Sequence, residues 1–167
     1  MTDPDDLQAR VARLEDRTAI SEVVIRYAMA VDRADWTALA DALTDPVHVD
    51  FSEAGLPPSD FPRDAFVDFA ARVLGGFTAR QHLSPNHVIT FADDDHAVCE
   101  SYMYAQHYLA GAAGGDFYLM RGSYTNRVVR TPDGWRIAHL TQHIYWNEGN
   151  LELPALAGAA VAAAQSA

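Results

Sequence analysis

Four polar residues stand at fixed places in otherwise apolar segments: Tyr27 and Asp32 in VIRYAMAVDRADW, His82 in RQHLSPNH, and His107 in YMYAQHYL. A carboxylate and two imidazoles on separate elements converge only if the chain folds back around a cavity, and such convergence is what general acid/base chemistry needs. An aspartate against a neutral imidazole fixes its tautomer and steadies the imidazolium once a proton is taken. Tyr27 lies five positions before Asp32, close enough in helical angle for a phenol to approach the same flank. Asp32 also sits near the C-terminal end of its helix, where the dipole disfavours a carboxylate, so some other group must hold it there. Each residue has a plainer role open to it: a solvated helix-end carboxylate, a structural strand histidine, a core histidine bonded to a carbonyl.

The elements that carry these side chains change in period along the chain. Leu7, Val11 and Leu14, then Ile20, Val23, Val24, Tyr27 and Val31, recur at three- and four-residue steps, which predicts one apolar stripe along an N-terminal helical region. Asp35 reads as the N-cap of a short second helix through Trp36, Leu39 and Leu43. Pro62 suits the first position of a third helix through Phe66, Phe69, Ala70 and Val73, ending at Gly75-Gly76. Val47, Val49 and Phe51 alternate with polar residues as in a half-buried strand. Four more strands are predicted at roughly 80–91, 96–109, 117–130 and 135–146, separated by an aspartate triplet, AGAAGGD and TPDG. Helices leading into a mostly antiparallel sheet give an α+β fold, in which a strongly curved sheet packed on the helices forms an open cone.

Within that pattern His107 shares a strand face with Ala97, Cys99, Ser101, Met103 and Ala105, small or flexible residues that leave room for a ligand. Tyr124 and Asn126 share a face of the next strand, either as partners for a substrate oxygen or as core and turn residues. Pro85, just after His82, marks an edge or a bulge. Seven histidines raise a metal site, but His82 and His87 face opposite sides of a regular strand, and His139 and His143 are too far apart to share an ion. Asp32, His82 and His107 remain the one possible facial set. AGAAGGD lacks the lysine and the strand-to-helix context of a phosphate loop.

Composition narrows the partners. The 167 residues suit a single domain, placed at 1–150, with a tail at 151–167. Twelve basic against twenty-three acidic residues give a net charge of −11, which repels nucleic-acid backbones and anionic membranes. The single Cys99 forms no internal disulfide, and the acidic MTDPDD is unlike a secretory leader, so a cytoplasmic location is expected. No apolar run approaches the roughly 20 residues of a membrane span.

Taken together, AISEVVIRYAMAVDRADW, QHLSPNH, YAQHYL and RGSYTNRVVRTPDGWRI resemble the SnoaL-like branch of the NTF2-like superfamily over about residues 7–150. The nearest resemblance is to the part holding scytalone dehydratase, bile acid 7α-dehydratase and hexachlorocyclohexane dehydrochlorinase. It implies an NTF2-like cone, no metal and no cofactor. It also implies a lyase in which Asp32 orients His82, with Tyr27 or His107 assisting the departing oxygen and Phe51, Asn86, Met103, Tyr124 and Asn126 contacting substrate. Val31 and Phe51 stand where scytalone dehydratase has tyrosines, which argues against scytalone itself as substrate. Isomerisation or polyketide-type cyclisation by the same residues, or ligand binding without catalysis, are the alternatives. The expected partners are a small, largely apolar hydroxylated or carbonyl-bearing molecule and further copies of the chain, as a dimer or trimer through the strand carrying Phe117, Tyr118, Leu119 and Met120. Pro154 opens a short C-terminal helix that docks over the cone's mouth or a neighbouring subunit, if it is ordered.

Overall fold

The computed structural model describes residues 4–165; the ends of the expected domain and tail, 1–3 and 166–167, lie outside them. The first helix, α1 (Pro4–Arg33), buries Ile20, Val23, Val24 and Val31 but leaves Leu7, Val11 and Leu14 at 55%, 45% and 64% exposure. The predicted stripe therefore stops short of its first turns. There the helix meets the sheet through polar groups: Arg13 lies 4.1 Å over the Phe91 ring, and Asp16 accepts from Trp135 Nε1 at 3.0 Å and Arg130 at 2.8 Å.

Ala34 ends α1 in the left-handed region at φ 53°, returning its N–H to Val31 O, and Asp35 then caps α2 (Trp36–Asp41) by accepting from Ala38 N at 3.0 Å. This second helix is shorter than expected because Leu43 is already in β1 (Leu43–Phe51), fully buried in the sheet. A strand the sequence pattern did not reveal, β2 (Leu56–Phe61), carries Pro57 and Pro58, which are tolerated because it lies on the sheet edge. Pro62 is the N-cap of α3 (Arg63–Leu74), one position earlier than predicted. The run expected at 80–91 is two strands, β3 (Ala79–Leu83) and β4 (Val88–Phe91), parted by a corner at Pro85 and Asn86, the latter at φ 51°. The remaining elements are β5 (His96–Tyr108), β6 (Phe117–Thr131), β7 (Gly134–Gly149) and α4 (Leu153–Gln165).

Strand order is β2-β1-β7-β6-β5-β3, with β4 also on β5; β1 and β7 run parallel and every other pair antiparallel. The β6–β7 ladder shifts register between Arg121 and Gly122 and again between Arg127 and Val128. Such bulges bend the sheet, and Gly122 is needed at the first because a Cβ there would lie 1.7 Å from His143 O. The curved sheet closes on α1, α2 and α3 around the main core, while Phe77, Leu153 and Ala157 form a smaller one under α4. No helix among the described residues is long and apolar enough to cross a membrane.

Candidate active site

The last turn of α1 brings Asp32 against β3. The His82 backbone N–H donates to both carboxylate oxygens, at 3.1 and 2.9 Å, and His82 Nδ1 lies 2.7 Å from Oδ1. The contact that the helix-end argument required is thus present. With Nδ1–H donated to Asp32, the lone pair of the ring is on Nε2, and His82 lines the cavity. Arg80, two residues earlier on β3, donates to Val31 O at 3.1 Å, to Asp32 O at 3.4 Å and to Leu74 O. One guanidinium therefore ties the C-terminal ends of α1 and α3 to the strand that carries His82, where a cation is favoured by both helix dipoles.

The cavity lies between α1, α3 and the inner face of the sheet and holds about 160 Å³. Its wall is mostly apolar, from Val31, Phe51, Phe66, Phe69 and Met120, with Tyr27, His82, His107, Tyr124 and Gln142 as its polar groups. His107 is only 3% exposed, edge-on to His82 with ring centroids 5.4 Å apart, and flanked by Phe77 at 4.7 Å and Tyr118 at 5.6 Å. Its Nδ1 has no hydrogen-bond partner among the described residues. Burial, reinforced by the nearby His82, pushes the His107 pKa down to about 3. It is therefore neutral near pH 7 and is no cationic acid for a leaving group, which narrows its expected role to orientation. Burial raises Tyr27 well above the usual phenol range, with Tyr124 adding to the effect, and pushes Tyr124 up to about 12, so both phenols keep their protons.

Of the residues expected to touch substrate, Phe51 and Tyr124 line this cavity and three do not. Asn86 is exposed at the β3–β4 corner, on a surface groove with Tyr102 and Tyr145. Met103 is buried behind the wall, where its Sδ accepts from Gln142 at 3.1 Å. Asn126 shares the inner face with Tyr124 but lies opposite Cys99 and Leu140, inside the core, with Oδ1 unpartnered among the described residues. Alternation identifies a face, not how far along it the cavity reaches. Gln142 and Arg80 were missed, although each left a signal: Gln142 is a polar residue in register with buried Leu140, and Arg80 shares the strand face of His82. Among the described residues no three His, Cys, Asp or Glu side chains group as metal ligands.

Residues 12–141 match the SnoaL-like domain family. A solved structure from Kribbella flavida, Kfla4162, is 32% identical, with a TM-score of 0.79 over 87% of this chain and 98% of that one. The Terrestric acid biosynthesis cluster protein E of Penicillium crustosum is 26% identical over 155 residues, spanning 82% of this chain and 88% of the fungal protein. A Novosphingobium aromaticivorans structure provisionally named a scytalone dehydratase shares the fold at a TM-score of 0.75 and 18% identity, over 84% of this chain and 91% of its own.

Proposed function

This chain belongs to the SnoaL-like family of the NTF2-like superfamily, and from that membership and the cavity's geometry we propose a cofactor-independent lyase that eliminates water from a small carbonyl compound. The observation that carries this reading is the Asp32–His82 pair, whose 2.7 Å contact leaves Nε2 as the base toward an apolar cavity. His82 Nε2 takes the proton next to the carbonyl and Asp32 stabilises the resulting imidazolium. Tyr27 hydrogen-bonds an oxygen of the substrate, and the departing hydroxyl leaves as water with the proton returned by His82. Neutral His107 orients that hydroxyl. A dyad and donor of this kind supply roughly a hundred- to ten-thousand-fold for each proton transfer. The volume, close to the ~150 Å³ of a cavity that holds one benzene ring, favours monocyclic substrates over steroid-sized ones.

Isomerisation is the second reading, favoured by the mostly apolar wall: His82 carries the proton in either reaction, but returning it to another carbon leaves no departing hydroxide to be stabilised there. Incubation with a panel of monocyclic β-hydroxy ketones, read by liquid chromatography with mass spectrometry, separates the two. Loss of water marks elimination, and rearrangement at constant mass marks isomerisation. Asp32→Asn is expected to lower turnover at least a hundredfold while melting stays within a few degrees. An inert wild type would leave the ligand-binding alternative in its place, and an Asp32→Asn enzyme as active as wild type would remove the dyad from the mechanism. The aromatic outer face of the sheet supports self-association, which completes the proposal.

A further inference from the structure

We infer that Gln142 holds Tyr124 as a hydrogen-bond donor aimed into the cavity, so that Tyr124 binds the substrate's carbonyl oxygen opposite His82 and the substrate class is compounds that pass through an enolate. This deepens the reading above and rests on it. Tyr124 and Gln142 face each other in the β6–β7 register and both are buried on the inner face of the sheet. Gln142 Nε2 lies 3.1 Å from Met103 Sδ and 3.4 Å from Tyr124 Oη. A thioether has no hydrogen to give, so the amide edge that meets Met103 must be the NH₂ edge; the reversed amide would set lone pairs against lone pairs. With one amide hydrogen on sulfur, the other lies toward Tyr124 Oη, and the phenol oxygen is the acceptor of that pair. Its own hydrogen cannot point back at Gln142. It is left for the cavity that Tyr124 shares with His82 and Tyr27.

The consequence is chemical. When His82 Nε2 removes the proton, the C–H pair becomes the new C=C bond and the C=O π pair moves onto oxygen. The negative charge then sits where Tyr124 O–H donates a hydrogen bond without giving up its proton. In elimination the oxygen pair returns to re-form C=O, the enolate C=C pair shifts to become the new α–β double bond, the β-carbon–oxygen bond breaks with its pair going to oxygen, and the His82 imidazolium protonates the leaving hydroxide to water. A donor already oriented in an apolar site stabilises that charge without reorganising as it develops. The high pKa that burial gives Tyr124 keeps it a donor, not a competing anion, across the working range.

The probe is 4-nitrophenol, a one-ring enolate mimic whose anion alone absorbs in the visible. Bound to the wild type it is expected to ionise at a pH below its midpoint in free solution. Tyr124→Phe should weaken binding of the anion at least tenfold, and Gln142→Glu should do the same, since a carboxylate would draw the phenol hydrogen away from the cavity. Gln142→Met, which removes the amide without adding charge, guards against a charge effect and should weaken anion binding less than Tyr124→Phe; circular dichroism checks that each variant folds. A visible band that survives in both Tyr124→Phe and Gln142→Glu but vanishes in Asp32→Asn overturns this inference and leaves the dyad standing. No bound anion in the wild type, whether the probe binds as neutral phenol or not at all, overturns the inference, and the turnover assay above then decides the dyad by itself.

Discussion

Burial that keeps His107 neutral has a thermodynamic cost that can be measured. Its folded pKa near 3 lies below the ordinary 6.5, so between those values the unfolded chain binds a proton that the folded one does not. Stability is then complete above pH 6.5 and falls as pH drops toward 3, by an amount on the order of a few kcal/mol. The midpoint of urea unfolding, followed from pH 7 to pH 4, should fall steeply in the wild type and less in His107→Gln. Equal slopes in the two proteins would mean that the buried imidazole is not the source. At this scale Asp32 and His82 were legible because a carboxylate at a helix C-terminus demands a partner, and a histidine at the right distance in a strand can be one. Gln142 was only partly so: its polar character on the strand face of Leu140 marks the position, but its role shows only once Met103 and Tyr124 are seen to face it.

Placement of the dyad depends on how the C-terminal ends of α1 and α3 meet β3, and Arg80 joins the three. Replacing it with Met keeps the aliphatic stem but leaves the carbonyls of Val31, Asp32 and Leu74 without their cation. The expected loss is about 2–4 kcal/mol by urea denaturation, together with reduced turnover although Arg80 is not part of the cavity wall. Unchanged stability would show that water replaces the guanidinium at no cost. The C-terminal helix α4 docks on its own chain, with Leu153 and Ala157 fully buried beside Phe77, and Gly76 is needed there because a Cβ would sit 2.0 Å from Ala157 O. None of its residues lines the cavity. Leu153→Ala should therefore cost about 2–5 kcal/mol, and deletion after Asn150 should lower the melting temperature well beyond what loss of a lid would. Pro154 announced this helix, whereas its docking partners Phe77 and Leu74 are distant in sequence and announced nothing. The same limit hid β2, whose paired prolines read as a loop until the sheet edge that tolerates them exists.

On the scale of the whole molecule the sheet turns an aromatic face outward. Tyr102, Tyr145 and Trp146 are 60%, 58% and 51% exposed, Phe117 is 52% exposed, and Tyr104 and Trp146 flank Arg121 at 5.2 and 5.4 Å. Apolar groups on both faces of the strand make Phe117 through Met120 the contact expected from sequence. Met120 instead lines the cavity and Tyr118 packs on His107, so the exposed aromatic groups come mainly from β5 and β7. Single exposed apolar side chains need no explanation, but Tyr102, Tyr104, Tyr145 and Trp146 line one continuous groove with Arg121. Tyrosine, tryptophan and arginine are also the residues enriched where proteins associate. A second copy of the chain is the expected occupant, with the apolar centre outweighing the repulsion of two chains of charge −11. Light scattering at micromolar concentration should give a mass of two or three chains. Because the opposing force is net charge, association should weaken at low ionic strength, where repulsion is screened least. The double variant Tyr102→Glu, Trp146→Glu should yield a folded monomer, since neither side chain reaches the cavity or the dyad. A wild-type monomer would end the proposal, and an oligomer that survives both glutamates would move the contact to another face.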